Sequence, residues 1–231
     1  MPLRKGKGVA VITTADVQGE YKFGAGRYWQ MPNALDLIGA EAKRLGTKAC
    51  VTGGETALAL TRERLSSGLD AAEIPWVEER YSGPASAAKA AAVASVATEK
   101  GCDVIVGVGG GRALDLAKAA AALLGAPVIT VPASAATCAA YAPLSVLYHE
   151  NGAYDHCVWH EREVDAVLVD MEIQSAQPPR LMASGILDAM AKYLEISNGR
   201  AELNLQDVPI AMHSAHSFAR YTYEEIGRAH V

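Results

Sequence analysis

Apolar positions in this chain alternate between two patterns, short continuous runs and longer stretches in which they recur at helical spacing. GVAVIT (8–13), KACVT (48–52), DVIVGV (103–108), PVITV (127–131) and AVLVD (166–170) are the continuous runs, and they read as strands buried on both faces. One more strand is placed near 74–77. Helical spacing appears at 33–45, where Leu35, Ile38, Ala42 and Leu45 share a face ahead of Gly46, and again at 55–67, 86–100 and 112–124. Gly68 and Gly101 are read as the stops of the helices at 55–67 and 86–100. Strand and helix therefore alternate, which predicts a doubly wound α/β domain around a parallel sheet. Asn151-Gly152, between SVLYH and YDHCVW, signals a hairpin laid onto that domain. From Pro178 the pattern is wholly helical, and the domain boundary is placed at about residue 171. No internal repeat is present.

Composition narrows the classes. Half of the 231 residues are apolar and a fifth are charged, enough to bury one sizeable core and begin a second domain. The net charge of −5 and the scattered Lys and Arg leave no basic footprint for nucleic acid. No formally charged residue occurs from Ala119 to Tyr148, but Pro127, Pro132 and Pro143 interrupt the segment. A buried strand followed by an irregular loop is expected there, not a membrane span. The basic start MPLRKGK is followed by too short an apolar run for a signal peptide. Cys50, Cys102, Cys138 and Cys157 stand far apart, as reduced thiols of a cytoplasmic protein would.

The chemistry centres on GVGGGRALDLAK (107–118). A buried strand delivers the chain to four glycines among five residues, where backbone N–H groups can approach a diphosphate closely. The helix that follows aims its positive end at the same place. The run departs from the G-x-G-x-x-G fingerprint, because Arg112 stands where the third glycine belongs and because several βα units precede it. Two more segments follow in order: VPASAATCAAYAPLSVLYHENG (131–152), then SGILDAMAKYLE (184–195) on a helix.

With these three motifs, the GVGGG-x-x-x-D-x-AK loop, ATCAAYAPLSV-x-Y and G-x-x-D-A, the chain resembles the iron-containing alcohol dehydrogenase family from about Gly8 to Glu195. Within it the likeness is to the glycerol dehydrogenase-like branch, most closely the hydroxycarboxylate (2-oxo acid) dehydrogenases. The resemblance implies a dinucleotide-binding α/β domain over 1–170 and the start of a helical, metal- and substrate-binding domain over 171–224. It implies that Gly109, Gly110, Gly111, Arg112 and Ala113 wrap the diphosphate of NAD or NADP. It places Thr137, Ala142, Leu144 and Tyr148 along the nicotinamide half, Cys138 at the substrate, and Asp188 as both catalytic residue and first ligand of a divalent metal, Zn or Fe. Such an ion polarises the substrate oxygen, so that hydride can pass between nicotinamide and carbon without a strong protein base. The plain alternative for Asp188 is a solvated helix residue paired with Lys192 at i+4.

Departures from the family qualify these expectations. Leu187 stands where relatives usually carry Gly. Gly53 stands where many NAD-using relatives carry the Asp that holds the ribose, and Glu55 is displaced from that position, so NADP is as plausible as NAD. Cys138 replaces an Asp that hydrogen-bonds polyols in glycerol dehydrogenases, which favours a 2-hydroxy or 2-oxo acid over glycerol. The family's two metal-ligating histidines have no match here. His213 and His216 share a helix face by spacing but not the family's motif, and a polar helix face accounts for them. EIGRAHV (225–231) matches the translated read-through of a short-read sequencing adapter and is expected to be a non-native tail. The chain is thus expected to be a C-terminally truncated piece, inactive alone and homo-oligomeric at full length. Two other classes stay open: a dehydroquinate-synthase-like lyase, for which the loop 133–141 lacks the needed charges, and a non-catalytic nucleotide-binding module.

Overall fold

The computed structural model describes residues 24–199. Strand β1 (Tyr28–Met31) leads through a 3-10 turn (Ala34–Leu37) into α1 (Ile38–Leu45). Then come β2 (Ala49–Gly53), α2 (Glu55–Ala71), β3 (Trp76–Arg80), α3 (Ala87–Glu99), β4 (Val104–Gly109), α4 (Gly111–Leu124) and β5 (Val128–Pro132). An irregular loop precedes the hairpin β6 (Leu144–Tyr148) and β7 (Tyr154–Trp159), followed by β8 (Ala166–Asp170), α5 (Met171–Ser175) and α6 (Pro179–Gly199). Six strands form one parallel sheet in the order β1-β8-β5-β4-β2-β3, and the hairpin stands apart as two antiparallel strands.

Alternate residues of each central strand feed two cores, one on each face of the sheet. Cys50, Ile105 and Val167 join α3 and α4, through Val93, Ala97, Leu114 and Ala117. Val51, Val104, Val106, Val108, Ile129 and Leu168 join the 3-10 turn, α1 and α2, through Leu35, Ile38, Leu58 and Leu65. This two-sided burial explains why the runs are uniformly apolar and not alternating. Gly107 lies where β4 meets α4, and a Cβ there would come within 2.4 Å of the Ala117 Cβ. The absent side chain is what lets α4 settle onto the strand.

Two local expectations are corrected, and one strand is new. Gly68 does not end its helix; α2 runs on to Ala71, because Leu69 is fully buried and Gly68 is a contact with α1. A Cβ on Gly39 would lie 2.0 Å from the Gly68 carbonyl oxygen, so the two helices touch backbone to backbone. The strand expected at 74–77 lies further on, at Trp76–Arg80, with Ile74 buried ahead of it. Strand β1 was not anticipated, and the run at 8–13 lies outside the described residues. No helix among the described residues is long and apolar enough to cross a membrane.

At the end of β8, the fully buried Asp170 ties four elements together. Its carboxylate accepts from Leu35 N–H at 3.0 Å and Arg64 Nη2 at 2.8 Å, and caps α5 through Glu172 N–H at 3.0 Å. Burial raises the Asp170 carboxyl, but these hydrogen bonds together outweigh it and hold it below its ordinary value. A depressed folded pKa stabilises the fold above the unfolded value of about 4 and loses that contribution as pH falls through the lower folded value. Asp170→Asn should therefore cost about 2–3 kcal/mol at neutral pH. In urea titrations its deficit against the wild type should shrink below about pH 4. A deficit independent of pH would contradict this account.

Candidate functional site

Strands β2 and β4 are neighbours, yet the helices that follow them leave for opposite faces of the sheet, α2 to the Val106 side and α4 to the Ile105 side. Their carboxyl ends therefore part and open a crevice, the topological switch point of a doubly wound sheet. A cleft of about 730 Å³ occupies this place. One wall is the start of α2 (Gly54, Glu55, Thr56), another the glycine loop with Gly109, Gly110, Gly111, Arg112 and Ala113, and a third Ala133, Ser134 and Ala136. Glu172, Ile173, Gln177 and Leu181 close the far side.

Both helices that point into the cleft begin with a glycine, Gly54 for α2 and Gly110 for α4, and neither has a side-chain cap. Their first N–H groups thus lack side-chain acceptors and favour an anion. Gly109 has φ +143°, a conformation that side chains rarely adopt. A Cβ built on Gly110 meets only Ser134 Oγ, at 3.5 Å, and one on Gly54 meets nothing within 4 Å. Such a cradle, which side chains would fill, suits a diphosphate. Arg112, exposed at the start of α4, lies over the Tyr148 ring at 5.6 Å from its centroid. Tyr81 lines the same cleft; burial pushes its hydroxyl pKa up, while the Arg112 charge opposes that.

Lys118 fixes the loop that follows β5. It is almost fully buried and donates to the carbonyls of Ala139 at 2.8 Å, Ala142 at 2.9 Å and Leu144. Asp115, one turn earlier, holds Val146 N–H at 3.2 Å and faces the Lys118 ammonium at 3.0 Å. Lys118's three N–H groups are aimed at carbonyls, so this last contact is one of charge. Burial pushes the Lys118 ammonium down and the Asp115 carboxyl up, and each partly counters the other. Ser145 Oγ donates to the Asp115 carbonyl at 2.7 Å and lies 2.8 Å from His160 Nε2. Two glutamines hold the upstream part of the loop. The buried Gln174 donates to the Pro132 carbonyl, and Gln177 Oε1 accepts from Ala135 N–H at 2.9 Å.

Helix α6 meets this loop at Gly185, where a Cβ would lie 1.7 Å from the Ala135 carbonyl oxygen. The glycine of the G-x-x-D-A motif is thus needed for close approach. Asp188, three residues on, is partly exposed and lies 3.9 Å from Lys192, the i+4 pairing. Leu187 is exposed. Cys138 is exposed on the loop, within electrostatic reach of Lys118 and Lys192. Among the described residues no three His, Cys, Asp or Glu side chains come together as a metal site, and His213 and His216 lie outside them.

Of the residues singled out in the sequence, the structure gathers Gly109 to Ala113 in the cleft and sets Thr137 beside Gly111, whose Cβ would be 3.0 Å from Thr137 Oγ1. Tyr148 joins them through Arg112. Thr137, Cys138, Ala142, Leu144, Tyr148 and Asp188 all lie outside the lining itself. Gly53 does not face the cleft: a Cβ there would lie 2.4 Å from the Val108 carbonyl oxygen, and Gly54 is the position that opens outward. Glu55, Tyr81, Gln174 and Gln177 were not foreseen as parts of the site. Glu55 at the start of α2 and Tyr81 just after β3 carried only a positional signal, and Gln174 and Gln177 carried none.

A parallel sheet wound on both faces, with a glycine loop and two uncapped helix starts at its switch point, is the architecture of the Rossmann-like α/β class. Residues 25–171 match the family of iron-containing alcohol dehydrogenases, and the chain belongs to that family. Glycolaldehyde reductase of Halobacterium salinarum is 33% identical over 168 residues, 73% of this chain and 46% of that protein. Hydroxycarboxylate dehydrogenase A of Escherichia coli is 45% identical over 105 residues, covering 45% of this chain and 29% of that one. The crystal structure of a probable glycerol dehydrogenase from Sinorhizobium meliloti superposes with a TM-score of 0.77 at 28% identity, covering 87% of this chain and 57% of that one. The chain spans about half the length of such relatives.

Proposed function

We propose that the chain is the nucleotide-binding part of a metal-dependent, NAD(P)-linked oxidoreductase that interconverts an alcohol and a carbonyl. The observation that carries this reading is the switch-point cleft, where Gly109, Gly110 and Gly111 lead into the uncapped start of α4. Those backbone N–H groups, with Arg112 and Ala113, bind the diphosphate. The nicotinamide half would run toward Thr137, Ala142, Leu144 and Tyr148, on a loop that Lys118 holds at Ala139, Ala142 and Leu144. The dinucleotide, when bound, supplies or accepts the hydride. Asp188 would supply one ligand of a Zn(II) or Fe(II) ion, since among the described residues no group of three His, Cys, Asp or Glu side chains could hold the ion by itself.

The substrate we infer is a short 2-oxo or 2-hydroxy acid. Cys138 puts a small thiol where a glycerol dehydrogenase has a carboxylate, on a loop that has Lys118 and Lys192 within electrostatic reach. A carboxylate-bearing substrate is therefore not repelled, whereas glycerol lacks the carboxylate acceptor it would use in a glycerol dehydrogenase. The similarity to hydroxycarboxylate dehydrogenase A supports the same choice. The test is a substrate panel on the whole protein supplied with Zn(II) or Fe(II), with both nicotinamide cofactors. A short 2-oxo acid should show the highest kcat/KM. A higher value for glycerol would overturn the substrate assignment, and absence of any NAD(P)H binding would overturn the oxidoreductase reading.

A further inference from the structure

At the outer edge of the cleft, on the side away from Thr137, four charged side chains form a chain of ion pairs. Arg80, the last residue of β3 and register partner of Gly53, donates from Nη1 to Glu55 Oε2 at 2.6 Å and from Nε to Glu78 Oε1 at 2.7 Å. Glu78 is held independently by Arg62, which donates to both of its carboxylate oxygens. Glu55 is the first residue of α2, lines the cleft and is 72% exposed, so its side chain has room to leave.

We propose that Arg80 is the residue that receives a 2′-phosphate on the adenosine ribose, with Glu55 as the gate that sets the preference between NAD(H) and NADP(H). This rests on the dinucleotide reading above. If the nicotinamide half extends toward the loop after β5, the adenosine half extends the other way, over the ends of β2 and β3. Gly54 leaves that end open, since a Cβ there would meet nothing within 4 Å. The group that decides between the cofactors must then come from its neighbours. Glu55 can accept from ribose hydroxyls but repels a phosphate. Arg80 uses two of its five N–H groups on Glu55 and Glu78 and can exchange the single Glu55 carboxylate contact for phosphate oxygens. Glu78, already neutralised by Arg62, does not need Arg80 to stay ionised. The pairing in the free chain is therefore a competition that a 2′-phosphate enters in place of one carboxylate, and both cofactors are accepted.

The test is equilibrium binding of 5′-ADP and 2′,5′-ADP to the 231-residue chain by calorimetry, with thermal melts as the folding control. Arg80→Gln should lower the affinity for 2′,5′-ADP relative to 5′-ADP by roughly tenfold or more, and Arg80→Lys by less, because it keeps the charge but not the fork. Glu55→Gln should shift the same ratio the other way, toward 2′,5′-ADP, by several-fold. A ratio unmoved by both Arg80→Gln and Glu55→Gln, in chains that bind 5′-ADP, would overturn the assignment and leave the dinucleotide reading intact. Failure of the wild type to bind either nucleotide would overturn both.

Discussion

Replacing Lys118 with Met is expected to destabilise the chain by about 3–5 kcal/mol, a large part of the stability of a domain this size. The substitution keeps the length of the side chain and its apolar contacts, but it strips three carbonyls of their donor and leaves the Asp115 carboxylate buried without its counter-charge. Much of the cost is the stranded charge, so adding Asp115→Asn should recover part of the loss, even though it removes a second polar group. Urea unfolding of the wild type, the single and the double variant checks this. A single-variant loss below about 1 kcal/mol, or a double variant less stable than the single, would show that the pair does not anchor the loop.

Gly110→Leu is expected to abolish useful nucleotide binding, weakening it about a hundredfold or more, which corresponds to about 2.7 kcal/mol. The position separates binding from folding unusually well. Its φ of −81° suits any residue, and a Cβ touches only Ser134 Oγ at 3.5 Å, so the side chain enters open space and not the protein. Gly110→Ser is the companion variant. Serine is a better N-cap than the native glycine, so this chain should melt no lower than the wild type while binding NADH less well. Energy transfer from tryptophan to NADH, read beside the melting temperature, distinguishes the two effects. Affinity within threefold of wild type for the leucine variant would count against a diphosphate over this loop.

The central part of the fold was legible because burial on both faces writes itself into the chain as uniform apolar runs, and β2, β4, β5 and β8 all carry that signature. Edge strands do not. The four residues of β1, Tyr28–Met31, are mostly exposed and pair on one side only, so their strand character comes from β8 and not from their own pattern. Glycines mislead when their role is contact and not turning. Gly68 looked like a stop but is where two helices touch, and Gly53 looked like a lost ribose contact but faces the Val108 carbonyl. In the site, the glycine loop was legible because strand, turn and helix are consecutive. The Glu55–Arg80 pair and the loop clamps at Gln174 and Gln177 were not, because each joins residues far apart in sequence, which no local spacing records. Asp115 and Lys118 were visible as motif letters, yet their buried, loop-anchoring role came only from the geometry.

The pairing of β1 with β8 has a consequence for how the chain comes together over time. Tyr28 lies opposite Val167, so the first described strand joins the sheet only after the last one has been made. Until then β5, which β8 will flank, is an open edge of apolar residues, and the segment around Tyr28–Met31 has nowhere to dock. Closing so long a loop before any contact rewards it is slow. Any folding order that assembles β2, β4 and β5 before β8 is available therefore leaves an apolar edge open on one side, the place where chaperone capture or edge-to-edge association would compete with folding.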